Sequence, residues 1–143
     1  MMTTHSAGIV IIRYEEDKPL ILLMRSYQYW DFPKGGVEEN ENKLNAAMRE
    51  VKEEAGIDSL NFRWGKSFHQ TEPYGKNHKI VSYFIAETDE TTVVMGVNED
   101  LGRPEHDEYR WVSFEQAKEL AGDRIKKVLR WAEERMNYEV AQI

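Results

Sequence analysis

In the stretch Gly35–Ile57, GGVEENENKLNAAMREVKEEAGI, a turn-rich start, a helix-forming middle and a glycine stop follow one another. Asn40 can cap a helix with the dipole-favoured Glu41 in its first turn, and Gly56 can stop it just past Ala55. Leu44, Ala47, Met48, Val51 and Ala55 recur at one-face helical spacing, so that stripe is expected to face the core. Glu50, Glu53 and Glu54 then lie roughly 80 to 180° around the helix, three and four residues apart, with their carboxylates gathered. Gathered carboxylates repel one another and raise each other's pKa unless a cation compensates. Mg²⁺ suits such a group, because it takes a few oxygen ligands from protein and fills the rest of its octahedron with water and phosphate oxygens. For a bare Glu-x-x-Glu-Glu, a solvated acidic helix face relieved by Lys52 is the competing account.

Outward from this segment the chain alternates strand and helix signals. Gly8–Ile12 and Leu20–Met24 are aliphatic runs joined by the polar turn Glu15–Pro19, as expected for a strand pair buried on both faces. Asp31–Gly36 predicts a loop. Phe62–Gln70, Ile80–Glu87 and Tyr109–Val112 predict further strands, the first two joined by a loop containing Pro73 and Gly75. Ser113 with Gln116 forms a capping box for a helix ending at Gly122, and Asp123 caps a last helix whose apolar face is Ile125, Val128, Leu129, Ala132 and Met136. The pattern implies an α/β fold with a sheet covered on both faces.

With 143 residues, one domain spanning 1–143 is expected. No apolar run approaches the length of a membrane span, and Met1–Ser6 lacks a secretory pattern, so the expected setting is cytoplasmic. The chain has no cysteine, which restricts any metal to oxygen or histidine ligands and fits a reducing compartment. A net charge of −7 disfavours a stable nucleic-acid partner. The four histidines, His5, His69, His78 and His106, lack metal-site spacing.

The Gly35–Ile57 segment resembles the Nudix box. It matches every fixed identity: Gly35, Glu41, Arg49, Glu50, Glu53, Glu54 and Gly56, with Val51 and Ile57 at the aliphatic positions. The resemblance implies the Nudix fold, an α/β/α sandwich with a mixed central sheet, and a Mg²⁺-dependent pyrophosphohydrolase, with Mn²⁺ as an alternative metal. It implies that Glu50 and Glu54 hold the metal and that Glu53 adds a ligand or helps activate water. It further implies that Gly35 offers a carbonyl, and that Glu41 and Arg49 brace the loop-helix-loop.

Beyond the box, three segments resemble the asymmetrically cleaving diadenosine tetraphosphate hydrolases of that family: Tyr29–Gly35, Lys79 with Val81–Glu87, and Glu105–Trp111. That resemblance implies phosphate contacts from Lys34 and Lys79, adenine stacking by Tyr74 and Tyr109, and ATP and AMP as products. The chain departs from the branch in carrying Gln28 and Tyr29 where a histidine often precedes the Trp. Pro104-Glu105 also resembles the RNA 5′-pyrophosphohydrolases, where the glutamate serves the metal site. Glu105 is thus the extra ligand or base chosen, with Glu99, Asp100, Asp107 and Glu108 as competitors. RNA ends, nucleoside triphosphates and inositol polyphosphates stay open as substrates. A non-catalytic Nudix binding domain would usually lack a box glutamate. A small-molecule nucleotide is the expected partner, for a monomer or a homodimer.

Overall fold

The computed structural model describes residues 3–142, with side-chain surroundings through residue 137. The chain runs β1 (Thr4–Glu15), β2 (Lys18–Ser26), β3 (Tyr29–Asp31), β4 (Lys34–Gly36), α1 (Lys43–Ala55), β5 (His69–Gln70), β6 (Lys79–Glu87), β7 (Val97–Asn98), β8 (Arg103–Pro104), β9 (Glu108–Val112), α2 (Phe114–Leu120) and α3 (Asp123–Gln142).

β1 lies at the centre because its apolar run lets it pair on both edges. It pairs antiparallel with β2, parallel with β6 from Thr4↔Lys79 to Ile12↔Glu87, and antiparallel with β4 through Ser6↔Gly36. β3 and β9 extend β2, and β5 extends β6, giving a mixed seven-stranded sheet. Alternation along the strands fills two cores. Ala7, Ile9, Ile11, Leu22, Met24, Phe84 and Ala86 pack under α1 through Ala46, Ala47, Val51 and Ala55. Val10, Ile12, Ile21, Leu23, Val81, Tyr83 and Ile85 pack on the other face under Ala117, Ile125, Val128, Leu129 and Ala132 of α2 and α3. This is the expected α/β/α sandwich.

Several local expectations are corrected. The N-cap of α1 is Asn42, whose side chain accepts from the Asn45 N–H at 2.8 Å, while Asn40 takes a left-handed φ of 65° in the preceding turn. Glu41 therefore lies before the helix and pairs with Arg49. The buried stripe of α1 is rotated toward the glutamates. Ala46 and Glu54 are buried and Met48 is 38% exposed, because β4 and the segment around Val94 cover that flank. Phe62–Gln70 is strand only at His69–Gln70. Gly65 at φ 95° turns the chain instead, letting Trp64 bury and accept through its carbonyl from Arg135. The Asp31–Gly36 loop contains β4, since the backbone of Lys34–Gly36 pairs with β1. The Ser113–Gln116 capping box is present, but α2 stops at Leu120, and Asp123 is the first residue of α3 rather than its cap. Among the described residues no helix is long and apolar enough to cross a membrane.

Candidate functional site

The box glutamates are placed by two close approaches. β4 runs against α1 so that the Glu50 carboxylate fills the place where a side chain on residue 35 would begin, which only glycine allows. One residue earlier, the Lys34 N–H donates to Glu54 Oε1 at 3.0 Å. Glu54 is 7% exposed, and its Oε2 has no hydrogen-bond partner among the described residues. Burial, and then the neighbouring Glu105 charge, push its pKa up to about 9. Burial also raises Glu50, partly offset by Arg49.

Arg49 ties the surrounding turn together. Its guanidinium donates to both oxygens of Glu41 at 2.9 and 3.0 Å, to the Gly36 carbonyl at 2.8 Å and to Glu50 at 2.8 Å. Glu53, more exposed, lies 3.4 Å from it. Gly56 ends the helix at φ 70°, its N–H reaching the Lys52 carbonyl.

A cavity of about 770 Å³ opens over this cluster, lined by Lys34, Gly35, Glu50, Glu53, Glu54, Lys79, Glu105 and His106 among others. Sequence-distant elements thus converge: β4 and β6 bring one lysine each, α1 three glutamates, and the segment after β8 brings Glu105 and His106. Glu99 and Asp100 also line the cavity, so two of the competitors for the Glu105 role stay nearby. His106 stands 3.9 Å from Glu54 Oε1, and burial lowers its pKa. Its isolated position in the sequence gave no metal-site signal, yet it belongs to this wall.

The two tyrosines are placed differently, and neither lines the cavity. Tyr74 is half-buried, bridges Lys79 through its backbone, and carries the Arg124 guanidinium 4.2 Å from its ring centre. Tyr109, on β9 and 38% exposed, pairs with Met24 of β2 and so shares the α1 face of the sheet.

Among the described residues no three acidic or histidine side chains form a ready-made metal cage, but the chemistry of the donors fits a hard divalent cation: carboxylates lining one cavity, one with an unpartnered buried oxygen and another set against an open glycine. Lys34 and Lys79, which line the same cavity, suit phosphate oxygens.

A mixed sheet sandwiched by helices brings an acidic helix and two lysines to one cavity. The chain belongs to the NUDIX domain family, whose model matches residues 2–132. It is 34% identical over 95 residues to a mouse asymmetrical bis(5′-nucleosyl)-tetraphosphatase, an alignment covering 65% of this chain and 61% of that protein. The Caenorhabditis elegans counterpart is 33% identical over 84% of this chain and 86% of its own. An RNA pyrophosphohydrolase from Campylobacter jejuni is 31% identical over 74% of each chain. The match spans less than two thirds of the mouse and rat relatives. Among solved structures, the binary complex of a C. elegans Ap4A hydrolase superposes with a TM-score of 0.73 at 25% identity, over 98% of this chain and 99% of that one. The NUDIX domain of Shewanella oneidensis NrtR, crystallised with ADP-ribose, shares the fold at 13% identity, with a TM-score of 0.72 over 95% of this chain and 90% of that one.

Proposed function

We propose that this chain is a divalent-metal-dependent pyrophosphohydrolase acting on a nucleotide with a polyphosphate chain, cleaving diadenosine tetraphosphate asymmetrically to ATP and AMP. The observation that carries the reading is that Glu50, Glu53, Glu54 and Glu105 line one cavity together with Lys34 and Lys79. A bound Mg²⁺ or Mn²⁺ would supply charge neutralisation between carboxylates and phosphates, and acidify water for attack at phosphorus. Glu50, Glu54 and Glu105 would hold it with the Gly35 carbonyl, and Glu53 would complete the set or accept a proton. Lys34 and Lys79 bind phosphate oxygens, and Tyr109 offers a ring face to a base. The absence of cysteine suits a cytoplasmic setting.

The sequence relatives support a second substrate, the 5′-triphosphate end of RNA, since the Campylobacter relative is named for that chemistry. A non-catalytic domain is disfavoured because every box glutamate is present and Glu50, Glu53 and Glu54 line one cavity. The test is a comparison of kcat/KM with Mg²⁺ on diadenosine tetraphosphate, nucleoside triphosphates, nucleotide sugars and triphosphorylated RNA. The dinucleotide should rank first, with equimolar ATP and AMP. A higher kcat/KM on RNA ends transfers the assignment to the second substrate, and no hydrolysis of any of them rejects catalysis.

A further inference from the structure

Asp31 is shared by two cations. Arg124, in the first turn of α3, donates from Nη2 to Asp31 Oδ2 at 3.0 Å, and Lys34 Nζ stands 3.8 Å from that same oxygen. The other oxygen of Asp31 accepts from the Tyr83 hydroxyl at 2.8 Å and the Phe32 N–H at 2.7 Å. Arg124 Nη1 in turn donates to the Tyr83 hydroxyl at 2.9 Å, so its planar fork grips both partners. Tyr83 is fully buried, and Tyr74 backs the guanidinium with its ring. Of these groups only Lys34 lines the cavity, where Lys79 joins it. The pKa of Lys79 is lowered first by Lys34 and also by Arg124, as expected where three cations crowd one carboxylate.

The two ion pairs differ in kind. A distance of 3.0 Å is a charge-assisted hydrogen bond, whereas 3.8 Å is an ion pair without one. We infer that Arg124 is a positioning residue that occupies Asp31 and thereby leaves the Lys34 ammonium available to substrate phosphate. Asp31 has only 15% of its side chain exposed, and without the guanidinium Lys34 would be the cation nearest to it. Lys34 needs to move only about 1 Å to close a direct bond with it, and its flexible stem allows this. Phosphate would then compete with a carboxylate for the same ammonium. The inference rests on the reading above that Lys34 contacts phosphate.

Binding of inorganic tripolyphosphate in the presence of Mg²⁺, measured by titration calorimetry, tests it without relying on turnover. Arg124→Gln should weaken binding about tenfold, the size of coupling expected for charges in contact. In an Asp31→Asn background, which keeps the acceptor for Tyr83 and Phe32, the same change should cost less than about twofold, because no carboxylate is left to capture Lys34. Arg124→Lys, which keeps a cation beside Asp31 but loses the fork, should recover most of the binding. Equal losses from Arg124→Gln in both backgrounds would mean that Arg124 acts only through the fold, and would overturn the inference. So would wild-type binding by Arg124→Gln while Lys34→Ala is weakened. If Lys34→Ala itself binds normally, the phosphate role of Lys34 fails and the inference fails with it. Should Asp31→Asn melt below the assay temperature, the Lys and Gln variants of Arg124 decide: equal binding by the two rejects the proposal.

Discussion

The carboxylate of Glu50 occupies the volume that a β-carbon on Gly35 would need. Two residues fifteen apart in sequence therefore constrain one another, and the constraint falls where the proposed metal set is assembled. Gly35→Ala must displace Glu50. A misplacement of about 1 Å in such a site costs on the order of 10²-fold in kcat/KM. Gly36→Ala, with nothing within 4 Å of an added β-carbon, is expected to lose far less. Steady-state kinetics with circular dichroism of both variants checks the difference, and equal activities would reject the geometric reading of Gly35.

Glu54 makes metal-free stability depend on pH. Its folded pKa is pushed up to about 9 from an ordinary 4.5, so the folded chain retains a proton that the unfolded chain releases. Stability tied to this group is thus complete below the unfolded value and is lost as pH rises through the folded one. Glu50, raised by burial, acts in the same direction. Melting in EDTA should therefore show Tm falling between about pH 5 and pH 9. Glu54→Gln should flatten that slope, and should lower activity by about 10²-fold or more while remaining folded. Parallel Tm profiles for the two proteins would contradict the raised titration of the buried Glu54 carboxyl.

Glu105 completes the cavity from outside the box, beside Glu54. If it acts mainly in the transition state, Glu105→Gln should reduce kcat more than it raises KM. Glu99→Gln is the informative partner, because Glu99 lines the same cavity. A crippled Glu99→Gln beside an active Glu105→Gln would transfer the role.

Tyr109 sits beyond the carboxylate cavity, on the same side of the sheet. Tyr109→Ala should lose roughly 1 to 3 kcal/mol in kcat/KM on diadenosine tetraphosphate, and Tyr109→Phe little, since the ring face is what stacks. On a polyphosphate ester without a base the Ala variant should match wild type. Retained activity of both variants on the dinucleotide, with Tm intact, would remove Tyr109 from substrate binding.

The acidic cluster and the layered fold were legible because each is a local signal. The helical spacing of Glu50, Glu53 and Glu54 survives folding, as do the Ser113 capping box and the Ile125–Ala132 stripe. What was not legible depends on distant contacts. Asn40 and Asn42 are both competent caps, and the choice was made by the left-handed turn at Asn40 that frees Glu41 for Arg49. Phe62–Gln70 has strand composition, and the turn at Gly65 prevailed. The burial of Glu54 comes from β4 and the 94–106 segment, which no helical wheel displays. Arg124 carried no signal at all, because its partner Asp31 is 93 residues away.

The parallel register of β1 with β6, Thr4↔Lys79 through Ile12↔Glu87, has a kinetic consequence. The central strand is made before β6, and one of its edges has no mate until residue 87 is available. Closing so long a loop before any ladder bond forms is entropically unfavourable and slows folding. Until then the run GIVII presents an open apolar edge of the kind that recruits other chains. A newly made molecule is therefore most vulnerable to aggregation in the interval between emergence of its first strand and its sixth, and a truncation ending before Lys79 should collect as inclusion bodies rather than as a smaller working domain.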